Sequence, residues 1–470
     1  ALKAAVASAP PPPADDKRPV LFLSHAAFWR ERGDAGRGAA QAYEHYFDRL
    51  IPALAAEPDL RPLVVAVGPR AAFRRRGRRA RVGEWLRLPV AAGPFVPIGR
   101  YTSFAVLREV WRGTRQVRRQ WAWLRRSPAL AEAFSHAGVP FRDLADRDLA
   151  ETLLLQLPWA VRSYEEMGAV LRATRPAAVC LYAESSGWGR AALAACRAEG
   201  VPSVAVQHGI LYPGYYSYRH EADEADCPLP DRTAVFGEAA RRLLQALGRY
   251  PAGALVVTGS PKFDELLQAA RGRDRAALRA QLGVAPEEKL LVVASRHRAI
   301  RETHQSIGSA FPALLEAVES LPGVRCLVKP HPAEPAAAYE ADRRAAAAER
   351  TRILPSGADL MELLQAADAL VTVESLSAVE ALVLDRPVVV LNMPTNLREL
   401  VESGAARGVP AGEDPRPALQ AVLFDEAARA ELAAARARYL SEVAHGVDGQ
   451  ATARLLALLR DTAGAPRVVA

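Results

Sequence analysis

The sequence predicts an α/β chain of two Rossmann-like, doubly wound domains facing a cleft, with extra helices in the first domain. Three observations predict it. Apolar runs of strand length alternate with stretches of helical periodicity, from residues 20–24 onward. The same alternation starts afresh near Lys289. The chain has 470 residues, half of them hydrophobic, which is enough for about two or three domain cores.

In order, a strand over 20–24 is followed by helical periodicity over 39–55 and a strand over 62–67. Helices fill 103–172. Strands then recur at 179–183, 204–207, 233–236 and 255–258, with a helix over 189–199. The second unit has strands at 290–294, 325–328, 353–354, 369–373 and 388–391. Helices over 304–320, 334–349, 359–367, 376–384 and 397–403 lie between or after them, and long helices end the chain over 425–461. Residues 1–19, an Ala/Pro tract, form a flexible leader or linker. Residues 20–270 form the first domain, with its helical insertion at about 103–172. Residues 271–470 form the second, and the last helix crosses back to the first. No fixed-period repeat is present.

The formal charge is +8 and the isoelectric point about 9.5, so the partners are expected to be anionic. Four cysteines with no CxxC spacing argue against a zinc site or a disulfide framework and for a reducing, cytoplasmic setting. No apolar run nears the roughly 20 residues that span a bilayer. Arginines crowd residues 70–81, and Arg and Trp interleave over 111–126. That pairing suits an anionic membrane surface at the inner face of the cytoplasmic membrane; a solvated helix face explains it equally well. No nucleic-acid recognition motif accompanies it. Asp146-Arg147-Asp148 matches a metal-binding DxD pattern, but lies in a helix-rich stretch and reads as a helix-start cap.

The candidate site residues gather at strand ends. Lys329-Pro330-His331-Pro332 follows a buried strand; lysine suits phosphate, and prolines stiffen the turn. Glu374-Ser375 and Ser377 open a helix whose free N–H groups can hold a phosphate, with Glu380 inside it. Plain capping is the simpler reading, since Ser377 and Glu380 are spaced as a capping box. Arg296 and Ser260 also end strands on this side. Gln207-His208-Gly209 offers a base or a sugar-holding group, followed by a loop containing Tyr215 and Tyr216 that suits a sugar acceptor. His25 precedes a glycine-rich loop with Gly36 and Arg37, whose spacing is not GxGxxG. Glu184, beyond another strand, is a base candidate that equally suits a helix cap.

Together, Gln207-His208-Gly209, Val235-Phe236-Gly237-Glu238, Thr258-Gly259-Ser260-Pro261-Lys262-Phe263-Asp264, Lys329-Pro330-His331-Pro332 and Glu374-Ser375 through Pro387 resemble a broad GT-B group. It includes Kdo-type capsule polysaccharide transferases, bacterial polysialyltransferases and CDP-glycerol glycerophosphotransferases, with UDP-GlcNAc 2-epimerases more distant in fold. The likeness covers about residues 175–410. It implies that His331, Pro332, Ser375 and Ser377 hold the donor's phosphates, and it tilts the donor toward CMP or CDP. Glu374 and Glu380 stand closer than the EX7E of another retaining class, and the acidic polysialyltransferase motif has no counterpart.

The expected activity is metal-independent sugar transfer, with no cofactor, from a nucleotide-sugar to a bacterial surface polysaccharide or glycolipid. The donor is expected on the second domain and the acceptor on the first, with His25, Glu184 or His208 as base. The alternatives are a sugar-nucleotide epimerase, a glycerophosphotransferase, and a non-catalytic polyanion- or membrane-binding protein.

Overall fold

The computed structural model describes residues 16–32, 41–67, 95–220, 224, 226–251, 253–297, 306–331 and 334–464. The leader up to residue 15, Gly36, Arg37, the 70–81 arginines and Pro332 lie outside the described residues.

The first half opens with β1 (Arg18–His25), an antiparallel hairpin of β2 (Trp29–Arg32) and β3 (Gln41–Glu44), helix α1 (Leu50–Ala55), β4 (Leu60–Val67) and β5 (Val96–Pro97). A helical insertion follows: α2 (Phe104–Leu124), α3 (Pro128–Ala133), the short pair β6 (Ser135–His136) and β7 (Val139–Pro140), α4 (Arg142–Glu151) and α5 (Leu157–Thr174). Strand–helix alternation resumes with β8 (Ala178–Tyr182), α6 (Gly187–Ala198), β9 (Ser203–Val206), β10 (Arg232–Val235), α7 (Glu238–Leu247) and β11 (Leu255–Val257). The sheet is parallel, in the order β11-β10-β9-β8-β1-β4-β5.

Two helices, α8 (Pro261–Arg271) and α9 (Arg275–Gln281), lead into the second half. It contains β12 (Lys289–Ser295), α10 (Phe311–Ser320), β13 (Val324–Pro330), α11 (Ala337–Ala345), β14 (Thr351–Ile353), α12 (Leu360–Ala366) and β15 (Ala369–Thr372). Then come α13 (Ser377–Val383), β16 (Val388–Met393), α14 (Arg398–Glu402), β17 (Arg407–Pro410), α15 (Arg416–Leu423), α16 (Glu426–Val443) and α17 (Ala451–Gly464). This sheet is also parallel, in the order β14-β13-β12-β15-β16-β17. Both sheets are covered on two faces. In β12, Leu290 and Val292 enter one apolar cluster, Leu291 and Val293 the other, as period-2 side chains require.

The halves exchange parts. Leu455, Leu458, Leu459 and Ala463 of α17 pack into the first core, so the last helix crosses back as expected. Phe236, at the end of β10, packs in the second core against Phe263 of α8 (5.5 Å). The Asp264 carboxylate accepts hydrogen bonds from Thr452 N (2.8 Å) and Thr452 Oγ1 (2.9 Å), tying α8 to the start of α17. At Gly237 a Cβ would lie 2.6 Å from the Val443 carbonyl carbon, so only glycine lets the start of α7 meet the end of α16.

Several expectations are corrected. The helix expected over 39–55 is strand β3 plus the short α1. The Glu44 carboxylate there folds back to accept the Tyr46 and Phe47 N–H groups, and so turns the chain instead of continuing a helix. Asp146-Arg147-Asp148 lies inside α4, not at its start; Asp146 pairs with Arg142 one turn earlier. The capping box at Ser377 and Glu380 does not form: Ser375 Oγ accepts the Ser377 N–H (3.2 Å), and Glu380 is engaged elsewhere. Strand β17 and helix α15 were not anticipated. All four cysteines are free. No helix among the described residues is long and apolar enough to cross a membrane.

Candidate active site at two facing switch points

In each sheet the strand order reverses once: between β1 and β8, and between β12 and β15. In open parallel sheets, ligands bind outside the carboxyl ends of the strands at such a reversal.

At the first reversal β1 ends in Ser24-His25 and β8 in Tyr182. Their organiser is Glu44, only 1% exposed. Its Oε1 accepts from Tyr182 OH (2.9 Å) and Ser24 Oγ (3.1 Å); its Oε2 accepts from Tyr46 N and Phe47 N (2.7 Å each). Burial raises the Glu44 pKa, and the four hydrogen bonds offset only part of that. Tyr182 OH also accepts the His25 N–H (2.8 Å), fixing the backbone beneath that imidazole. Burial lowers the pKa of His25 and brings His208 down to about 4, so both are neutral at pH 7. His208 Nδ1 accepts the Ala183 N–H (3.3 Å), which leaves Nε2–H as a donor. His25 lies beside Phe28 and Trp188; His208 lies against Tyr46 and Tyr182.

Gln207 secures the turn that follows β9: its Nε2 donates to Gly209 O and its Oε1 accepts from Phe236 N, both at 2.8 Å. A Cβ on Gly209 would meet nothing within 4 Å, so that side is open. Tyr212 stacks on Tyr215 (5.5 Å, 11°), whereas Tyr216 points to solvent. A cavity of about 400 Å³ lies between this turn and the second half, lined by Gln207, Tyr212, Leu376, Asn396 and Tyr439 among others. A more open groove of about 570 Å³ is lined by Arg49, Asp264 and Arg271; neither it nor the smaller cavity is lined by His25, His208, Arg296, Lys329, His331 or Ser377.

Glu184 is brought elsewhere. Its carboxyl faces Tyr218 and Arg190 in a buried tyrosine cluster with Tyr215 and Tyr250. Burial pushes its pKa up to about 7, and Oε2 has no hydrogen-bond partner among the described residues.

At the second reversal three strand ends lie side by side. Arg296 follows β12, Lys329 ends β13, and Glu374 follows β15. Thr372 Oγ1 donates to Ala294 O (2.7 Å), pinning β15 to β12 at that edge. Arg296 Nη2 is 3.2 Å from His331 Nε2; a guanidinium only donates, so His331 accepts. Arg296 Nη1 and Ser377 Oγ are buried without a partner among the described residues. Lys329 is buried, its ammonium 3.3 Å from Pro330 O. Glu374 is near enough to Tyr212 to raise its pKa, after burial, the larger cause.

A residue unassigned by sequence reasoning links the two edges. Lys262, in the first turn of α8 two residues after the buried Ser260, forms a salt bridge with buried Glu380 of α13. Its Nζ also lies 3.3 Å from His45 Nε2, beside the first switch point. Lys262 stood inside the Thr258–Asp264 motif, but nothing local pointed to a carboxylate 118 positions away. Glu44, His45 and Tyr182 were missed likewise: their meeting is tertiary.

A family model described as UDP-N-acetylglucosamine 2-epimerase matches residues 232–460. No curated protein sequence matches. Among solved structures, a Listeria monocytogenes protein described as a UDP-N-acetylglucosamine 2-epimerase superposes with a TM-score of 0.59 at 16% identity, covering 96% of this chain and 98% of that one. The Neisseria meningitidis UDP-GlcNAc 2-epimerase bound to UDP-GlcNAc gives 0.56 at 13%, covering 95% and 100%. A Rickettsia africae glycosyltransferase gives 0.50 at 10%, covering 96% and 100%. The chain therefore has the two-domain, GT-B-like fold that these epimerases and glycosyltransferases share.

Two predictions follow from this geometry. Removing one partner of a buried ion pair strands the other charge, at a cost of about 3–5 kcal/mol. Lys262→Met should lower the urea midpoint strongly and Lys262→Met/Glu380→Leu should recover most of the loss; equal losses would deny the pairing. Glu184, with a folded pKa of about 7 against an ordinary 4.5, binds its proton more tightly when folded. Its contribution is full below about pH 4.5 and is lost as pH rises through about 7. Glu184→Gln should therefore stabilise the protein at pH 8 relative to wild type, and much less at pH 4.5; a pH-independent difference would contradict the burial.

Proposed function

We propose that this chain is an enzyme acting on a nucleotide-activated sugar, of the UDP-GlcNAc 2-epimerase type, and that its substrate bridges the two switch points. The observation that carries the reading is Arg296, Lys329, His331 and Ser377 gathered along three adjacent strand ends, within the stretch matched by the epimerase family model. Adjacent strands are about 4.8 Å apart, so these ends span about 10 Å, a width suited to a diphosphate. The fixed positive groups would stabilise the negative charge of a departing nucleotide. Glu374 and Ser375, which follow β15 at the same edge, would hold ribose or phosphate, and Ser260, just before α8, would add a hydroxyl. Opposite, His25 and His208 are neutral and suited to moving protons at the sugar. An epimerase must remove a proton at one face of a carbon and return one at the other, so it needs such a pair.

A second reading is transfer to a glycan acceptor from a UDP or CMP/CDP donor. It is favoured by the stacked Tyr212–Tyr215 pair, with Tyr212 lining the cavity, because tyrosine faces suit sugar rings. In either reading we take residues 20–270 as the sugar or acceptor half and 271–470 as the nucleotide half, working in the cytoplasm.

The test is incubation with UDP-GlcNAc and no acceptor, followed by NMR, beside a thermal-shift panel of UMP, UDP, CMP, CDP and GDP. Epimer formed without acceptor supports the first reading. A melting shift by UDP or a cytidine nucleotide without turnover supports the second. A ligand at about 100 times its Kd adds about 2.7 kcal/mol, an easily read shift. His331→Ala should abolish it, and a panel in which no nucleotide shifts the wild type sinks both readings.

A further inference from the structure

We propose that the outer face of α2 docks on an anionic phospholipid surface. The face is defined by spacing: residues 104, 108, 111, 115, 119 and 122 recur every three or four positions and share one side of the helix. The opposite side is fixed inward. Val106, Val117 and Trp121 are buried, and Gly113 abuts Val161 of α5 so closely that a Cβ would sit 2.7 Å from its Cγ1.

The outer face carries Phe104 (68% exposed) and Trp111 (59%), interleaved with Arg108, Arg115 and Arg119, and Trp123 (72%) lies at its margin. Over residues 104–126 there are seven arginines and one acid, Glu109, which is already bonded to Arg108 and Arg112 (3.1 and 2.9 Å). The Arg115 guanidinium stacks over the Trp111 ring at 5.3 Å, so one apolar ring and one cation form a single unit. Phe104, Trp111 and Trp123 exposed together offer apolar groups to an interface, and the arginines beside them attract anions. The headgroup layer of an anionic bilayer supplies both at one depth. Single-stranded nucleic acid also offers charge and stacking, but its binders follow the backbone with a groove, and the solvent side of one helix is convex. The proposal does not depend on the catalytic reading.

The experiment is co-sedimentation of the full chain with phosphatidylcholine vesicles, with and without phosphatidylglycerol, at low and high salt. Binding is expected only with phosphatidylglycerol and should weaken with salt. A basic residue near such a surface contributes about fivefold in affinity, so Arg115→Gln/Arg119→Gln should bind about 25-fold more weakly. Trp111→Ser/Trp123→Ser should release the protein at a lower salt concentration than wild type. Both pairs are exposed, so each variant should keep the wild-type melting temperature. Equal binding to neutral vesicles, unaltered binding by both variants, or displacement from vesicles by a lower concentration of single-stranded RNA than of phosphatidylglycerol would overturn the proposal.

Discussion

Lys262 is the point at which the two halves of the molecule are held in register. It stands at the start of the helix that leaves the first sheet, its charge neutralised by Glu380 beneath the second sheet's edge, and it touches His45 beside the first. An ion pair this buried adds little net stability over apolar packing, because desolvation cancels most of the attraction. What it supplies is position. A displacement of either half separates the charges in a low-dielectric setting, where the cost rises steeply. The exchanged elements act in the same direction: α17 packs in the first core, Phe236 in the second, and the tight approach at Gly237 joins the start of α7 to the end of α16.

The two edges so aligned are electrostatically opposite in kind. The second holds the basic side chains of Arg296 and Lys329, with hydroxyls at Ser375 and Ser377. The first holds neutral imidazoles over an aromatic floor of half-buried Tyr46 and buried Phe47 and Tyr182, organised by one carboxylate. Burial keeps His25 and His208 uncharged, while the Arg296 Nη1 atom is buried without a partner among the described residues. Such a pair of edges would suit a ligand that is anionic at one end and a neutral polyol at the other.

The fold was legible because both sheets are parallel and buried on both faces, so their strands read as continuous apolar runs such as 290–294 and 369–373. Where a polar residue did structural work, legibility failed. Gln41–Glu44 reads as helix until one sees that Glu44 is satisfied by Tyr182, far along the chain. His25, Arg296, Lys329 and His331 lie at strand ends as the sequence predicts, because a parallel sheet aligns its carboxyl ends whatever lies between. Glu184 was read by the same rule, but the turn after β8 sends its side chain into the tyrosine cluster. Glu380 was read as ligand-facing, while its carboxylate is engaged by a lysine that no local pattern pairs with it.

The central claim is that the edges at 296, 329–331 and 374–377 and the turn at 207–212 form one site. Hydrogen exchange with and without UDP measures this most directly. Concerted protection of all four segments, with β6, β7 and α4 unchanged, is the result the account predicts. Protection confined to one half, or to the groove around Arg49 and Arg271, would contradict it.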